Sequence, residues 1–175
     1  LLLHHRPDLD IGLLRGNVNT RIAALQDGQF DAIILAVAGL RRLSLDVDYA
    51  PLDLAVMPPS AGQGALAIQT RDRDDPRSLA VMAASADLGC AKTTTEVTAE
   101  RALLGRLDGS CHTPIAASAT CDENGRLHLD GMILSEDGRQ AFRDRIDGFG
   151  SDATQLGEAL ADQLLGAAGG RHFLA

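Results

Sequence analysis

Apolar positions along this chain follow two rhythms, the roughly 3.6-residue period of a helix and the two-residue period of a strand. Residues 10–14 are short and apolar and suit a strand. Asn17 is placed to cap a helix from residue 18 to about 27, where Val18, Ile22 and Leu25 recur at helical spacing and Gly28 is the stop. Residues 31–37 (DAIILAV) form a continuous apolar run, the pattern of a strand buried on both faces of a parallel sheet. Gly39 breaks that run, and residues 40–43 predict one helical turn. Strand, helix, strand in this order implies a βαβ unit with its helix on one sheet face.

Arg6-Pro7-Asp8-Leu9 reads as a turn, because Pro7 pushes Arg6 out of helical angles. Further along, Pro51, Pro58 and Pro59 mark a passage that crosses between domains. Residues 64–70 predict a strand and residues 76–86 a helix. Thr93-Thr94-Thr95-Glu96 opens a helix that runs to residue 107. Residues 116–120, 127–134 and 141–146 predict antiparallel strands, joined as hairpins by the turn-rich residues 122–125 and 136–138. Residues 152–168 form a last helix, with Leu156, Leu160 and Leu164 on one face. No internal repeat is visible.

Composition narrows the class. With 175 residues, 45% hydrophobic and 23% charged, the chain is an ordinary globular sequence with room for one or two domains. A net charge of -8 argues against a general nucleic-acid binder, whose phosphate contacts need a basic face. Three cysteines without paired spacing fit neither a disulfide framework nor a zinc site, and reduced thiols in the cytoplasm are the simplest reading. No apolar run is long enough to predict a transmembrane helix, and Leu1-Leu2-Leu3 is too short for a signal-peptide core.

Four groups carry candidate chemistry. Asp108-Gly109-Ser110-Cys111 breaks a helix and is followed by Pro114, so Cys111 is expected at a loop tip; a buried, inert thiol is the commoner use of the residue. Arg15 and Arg21 flank the Gly16-Asn17 start of a helix, where N–H groups already attract anions. They fit either a carboxylate clamp or two surface arginines. Arg41 and Arg42 follow the carboxyl end of the apolar run, where open α/β sheets bind ligands, or else they are a solvated turn. Gly62-Gln63-Gly64 lacks the Lys-Ser/Thr of a nucleotide loop and reads as a hinge or a close backbone approach to a ligand. The histidines share no metal-ligand spacing, and His112 has little claim on its neighbour's thiol because adjacent loop residues often point apart.

The segment from Glu100 to Ala116 (ERALLGRLDGSCHTPIA) resembles the cofactor-attachment loop of the porphobilinogen deaminases, also called hydroxymethylbilane synthases. Leu14-Arg15-Gly16-Asn17-Val18-Asn19-Thr20-Arg21 and Gly62-Gln63-Gly64-Ala65-Leu66 resemble two further family motifs in the same order. Ser110 departs from the second glycine of the family's Gly-Gly-Cys.

The resemblance implies a fold that is α/β and α+β: the remainder of periplasmic-binding-protein-like lobes, then a small α+β domain with an antiparallel sheet. Residues 1–58 would end the central domain, residues 59–86 would return to an otherwise missing first domain, and residues 87–175 would form the domain bearing the cofactor. It further implies a C-terminal portion, with roughly two-fifths of the family length preceding it, length being only a soft guide.

The function implied is condensation of four porphobilinogen molecules into hydroxymethylbilane in tetrapyrrole (haem and chlorophyll) biosynthesis. Cys111 would hold a dipyrromethane through a thioether, and Arg15, Arg21, Arg42 and Gln63 would bind substrate. The family's catalytic aspartate, in a Ser-x-Lys-Asp motif, has no counterpart here, so the 175 residues alone are expected not to turn over. Neither nucleic acid nor membrane is an expected partner, and the full-length protein is expected to be a monomer. The alternatives are a small-molecule-binding module on the same lobe without catalysis, and a thiol redox or acyl-transfer enzyme using Cys111 as a recurring nucleophile.

Overall fold

A computed structural model describes residues 1–71, 74–109 and 113–174. Its elements in chain order are α1 (Leu2–His5), α2 (Val18–Gln26), α3 (Val37–Arg42), α4 (Pro76–Ala86), α5 (Ala91–Arg106), β1 (Ile115–Cys121), β2 (Arg126–Leu134), β3 (Ala141–Phe149) and α6 (Ala153–Ala167). They fall into two compact units, Asp8–Asp53 and Leu1–Pro7 with Leu54–Ala175.

The larger unit is built on an antiparallel sheet in the order β1-β2-β3. Ile115 pairs with Ile133 and Leu127 with Gly148, so period-two side chains sort onto two faces. One face carries Ile115, Ala117, Ala119, Cys121, Leu127, Leu129 and Ile133 against Leu103, Leu160 and Leu164 of α5 and α6. The other carries Ala116, Met132 and Leu134, covered in part by Leu1 and Ala141. Leu103, Leu129 and Leu160 are wholly buried, and truncating any one to alanine costs about 2–5 kcal/mol. Gly131 and Gly157 are the close approaches: a Cβ on Gly131 would stand 2.7 Å from Leu103 Cδ1, and one on Gly157 2.8 Å from the Leu103 backbone nitrogen.

The first hairpin turns on local chemistry, and the second is clamped across its strands. Asp122 Oδ1 accepts from the N–H groups of Asn124 (2.8 Å) and Arg126 (2.9 Å), and Gly125 takes the left-handed angle that closes the turn (φ +75°). Arg143 grips Asp130 across β2 and β3 through Nε (2.8 Å) and a second nitrogen (3.1 Å), and its remaining nitrogen donates to the Ala55 carbonyl. A 3-10 turn at Arg171–Leu174 seats Phe173 edge-on against Phe142, ring centroids 5.1 Å apart.

In the smaller unit, Asn17 Oδ1 caps α2 by accepting from Thr20 N–H at 2.9 Å. Ala24 and Leu40 are its buried side chains, and α3 lies near the start of α2, since a Cβ on Gly39 would stand 3.8 Å from Val18 Cγ2.

The expected strands at residues 10–14, 31–37 and 64–70, and with them the βαβ unit, do not form among the described residues; Val37 instead opens α3 behind Ala36 as its cap. A strand exists only as part of a ladder, and apolar composition supplies no partner. Unpaired, these stretches leave Ile11, Leu13, Ile34 and Ile68 exposed and Leu66 99% exposed. What stands is a mixed helix and sheet structure with one small antiparallel sheet.

Candidate functional site

Arg15 precedes a turn that only glycine suits. Gly16 has φ +109°, and a Cβ there would lie 3.0 Å from Thr20 Cγ2. Beyond it, Arg21 sits in the first turns of α2 and its Nε donates to the Gly16 carbonyl at 2.9 Å. Its guanidinium is thereby folded back beside the helix N-terminus, where unpaired N–H groups also carry positive potential. Arg42 is the last residue of α3 and is exposed, as is Arg15. Among the described residues none of the three has an ion-pair partner. Guanidinium groups without a carboxylate partner keep their donors available to an anion.

Gln63 lies in the other unit, in a tight turn. Gln63 N–H donates to Ser60 C=O (3.1 Å), Ser60 N–H donates back to Gln63 Oε1 (3.1 Å), and Gly62 supplies the left-handed angle (φ +72°). With its carboxamide oxygen engaged, exposed Gln63 has N–H donors left for a ligand, which suits a carboxylate acceptor.

Cys111 and His112 lie outside the described residues. The chain on either side of them is tied together. Asp108 holds a positive φ of 54°, and a Cβ on Gly109 would stand 2.5 Å from both Ile115 Cδ1 and Leu104 Cδ1. Arg171 donates to Asp108 Oδ2 (2.6 Å) and to the Arg106 carbonyl (2.8 Å). Pro114 C=O accepts from Leu134 N–H at 3.0 Å, anchoring the entry to β1.

The other two thiols differ in environment. Cys121 ends β1 and is buried, and that burial pushes its thiol up, helped by the nearby Glu96 charge. Cys90 caps α5 in the open; the hydroxyl and then the backbone N–H of Thr93 favour its thiolate and hold it below the ordinary thiol value.

The structure also brings forward two residues that the sequence reading passed over. Glu96 Oε1 accepts from Cys121 N–H (2.8 Å). Glu100 accepts from Ala119 N–H through Oε1 (2.8 Å) and from Gly62 N–H through Oε2 (2.7 Å). Their i, i+4 spacing on one helix face was the available signal. Their partners, 19 to 38 residues away, were not.

Comparison with known proteins gives the chain its relatives. Residues 1–78 match the family model described as "Porphobilinogen deaminase, dipyromethane cofactor binding domain", and residues 94–166 match "Porphobilinogen deaminase, C-terminal domain". Cys111 thus falls in the part matched by the second model, while the three arginines fall in the part whose description names the cofactor. The porphobilinogen deaminase of Trichlorobacter lovleyi is 48% identical over 174 residues, covering 99% of this chain and 54% of that protein. That of Pelobacter propionicus is 47% identical over 174 residues, with the same shares. That of Brevibacillus brevis is 42% identical over 167 residues, covering 94% of this chain and 52% of that protein. The chain therefore spans about half the length of the curated relatives it matches. Two models of one family, end to end along the sequence, and identities this high over nearly all of it agree: this chain belongs to the porphobilinogen deaminase family.

Proposed function

We propose that the full-length protein is a transferase that condenses four porphobilinogen molecules head to tail into hydroxymethylbilane, releasing ammonia, in tetrapyrrole biosynthesis. The observation that carries this reading is the 42–48% identity to porphobilinogen deaminases across nearly the whole chain. The arginines give it a physical purpose. Each pyrrole brings an acetate and a propionate, and carboxylates gathered in one cleft repel one another and lose hydration. Guanidinium groups offset both effects.

The chain's own residues fit this chemistry: Arg15, Arg21 and Arg42, without ion-pair partners among the described residues, supply donors for substrate carboxylates, and Cys111 supplies a nucleophilic sulfur to hold a dipyrromethane. When bound, the dipyrromethane supplies the primer on which the product is built. Cys111 holds it by a thioether and does not take part in each condensation. Gln63 donates to a substrate carboxylate. The general acid/base is supplied by the portion of the relatives' length that these 175 residues do not span; no Ser-x-Lys-Asp sequence occurs here.

The same reading assigns residues 1–58 to a periplasmic-binding-like central lobe, 59–86 to a segment that joins a first lobe, and 87–175 to the domain that bears the cofactor. In favour of the middle assignment, Leu66, Ile68, Leu79 and Met82 stand exposed, and α4 buries none of its residues. Apolar side chains left in water suit a segment that packs against another lobe. The reading also places the protein in the cytoplasm as a monomer; no described helix is long and apolar enough to cross a membrane.

Incubating the full-length protein with porphobilinogen tests the function. Ammonia release in step with tetrapyrrole formation is the expected result. Saturable porphobilinogen binding without consumption would replace this reading with that of a binding module.

A further inference from the structure

The outer edge of β1 is closed without a fourth strand. Its outward N–H groups at Ala117, Ala119 and Cys121 are met in turn by Pro59 C=O (2.9 Å), Glu100 Oε1 (2.8 Å) and Glu96 Oε1 (2.8 Å). Two helix carboxylates thus stand where a neighbouring strand's carbonyls would, which blunts the edge. Glu96 makes that one backbone bond and pairs with Lys92 on its own helix (3.9 Å), without reaching the 60–64 turn. Glu100 has a second oxygen, and it accepts the Gly62 N–H at 2.7 Å.

That second bond fastens a turn with few other holds. Residues 60–64 belong to no helix or strand. Ala61 touches the core, Val97 Cγ1 lies 3.9 Å from where a Gly62 Cβ would stand, and the remaining bonds of the turn close it on itself. The Pro59–Ala117 bond holds the residue before the turn to β1, and Glu100 extends that hold to Gly62 inside the turn through two charge-assisted bonds.

We infer that Glu100 is a positioning residue: it holds the Ser60–Gly64 turn against β1 so that Gln63 presents its N–H donors to a substrate carboxylate. This rests on the assignment of Gln63 as a substrate contact under the proposed function. Glutamine at position 100 keeps the shape but turns one acceptor into a donor, so one of the two N–H groups meets an N–H. Glu96→Gln makes the same change on the same edge and leaves the turn untouched.

The test uses the full-length protein with three single variants, Glu100→Gln, Glu96→Gln and Gln63→Ala, and the double variant Glu100→Gln/Gln63→Ala. Hydrogen exchange is read on peptides covering the turn and on β2, whose protection reports that the domain is folded. Glu100→Gln is expected to speed exchange at Gly62 about ten- to a hundredfold with β2 unchanged, the scale of one lost charged hydrogen bond. Unaltered exchange at Gly62 overturns the inference. Should Glu100→Gln also lose β2 protection, Glu100→Asp takes its place: one methylene shorter, it cannot span both partners, and the same expectation holds.

Steady-state kinetics give the second readout. KM for porphobilinogen is expected to rise about tenfold in Glu100→Gln and in Gln63→Ala, with little change in Glu96→Gln. If Glu100 acts through Gln63, the double variant is no worse than Gln63→Ala alone. Multiplying effects in the double variant, or an equal rise in Glu96→Gln, would contradict the inference. Normal KM in Gln63→Ala would instead refute the substrate assignment, while the exchange result at Gly62 still judges the tie by itself.

Discussion

Gly157→Ala sets two well-known tendencies against each other. In a helix interior, alanine is better than glycine by about 1 kcal/mol, and α6 is a helix. Gly157, however, is where α6 lies closest to α5. A Cβ there would meet the Ala99 carbonyl oxygen, Ala102 Cβ at 2.7 Å and the Leu103 backbone nitrogen at 2.8 Å. Two of those three are backbone atoms and cannot rotate away, so the helices must separate. Overpacking costs about 1–3 kcal/mol where side chains can adjust, and here the upper end applies. Subtracting the helix gain leaves a net loss of about 2 kcal/mol, or roughly 4–8 °C in Tm for a chain of this size.

Gly166, in the last turn of the same helix, meets nothing within 4 Å. Gly166→Ala is therefore expected to stabilise, by up to about 0.5–1 kcal/mol. Urea and thermal unfolding of the two variants check the pair, with the sign of each change as the readout. A Gly157→Ala variant as stable as the parent would refute the packing of α5 on α6 described above.

Three further outcomes follow from named contacts. Arg15→Leu or Arg21→Leu in the full-length protein is expected to weaken pyrrole binding by roughly 1.5–3 kcal/mol, one to two decades, with the C-terminal domain still folded; unchanged kinetics in both variants would refute the carboxylate assignment. Alkylation followed by peptide mapping is expected to label Cys90 at lower pH and faster than Cys121, since Thr93 lowers the first thiol and burial raises the second; the reverse order would contradict the environments described. Asp75, Asp122, Asp137 and Asp162 are held below the ordinary carboxylate value of 3.8, chiefly by hydrogen bonds from Ser78, the Arg126 N–H, Ser135 and Arg106 in that order. A depressed carboxylate stabilises the fold above its unfolded value and loses that contribution as pH falls through its folded value, so the urea midpoint should fall on acidification below about pH 4. A flat or rising midpoint there would count against those bonds.

Local signals were legible where they fix an element by themselves. Asp75 followed by Pro76 defines the start of α4: the aspartate accepts from Arg77 and Ser78 N–H groups and the proline occupies the first helical position. Asp122 and Gly125 specify their hairpin in the same way, and Asn17 its helix. Residues 10–14, 31–37 and 64–70 show where that legibility ends. An apolar run states that a segment avoids water; it does not name the segment that would cover it. Leu66, almost fully exposed, is the clearest instance.

The candidate site divides along the same line. Arg21 beside a capped helix start follows from its neighbours in sequence; its fold-back onto the Gly16 carbonyl came only with the structure. The tie from Glu100 to Gly62 and Ala119 joins three segments by contacts that no local pattern encodes. Two glutamates four apart on a helix read equally well as a solvated face.

Everything proposed about activity converges on one sulfur. Cys111→Ser should leave the C-terminal domain folded and remove the covalent primer with most of the activity, because a hydroxyl is a far weaker nucleophile at neutral pH. The most direct measurement is peptide mass mapping of the full-length protein in its active form. A dipyrrole adduct confined to the peptide containing Cys111, with Cys90 and Cys121 unmodified, is the predicted result. An unmodified Cys111 in a fully active enzyme, or the adduct on either of the other two cysteines, would contradict the account.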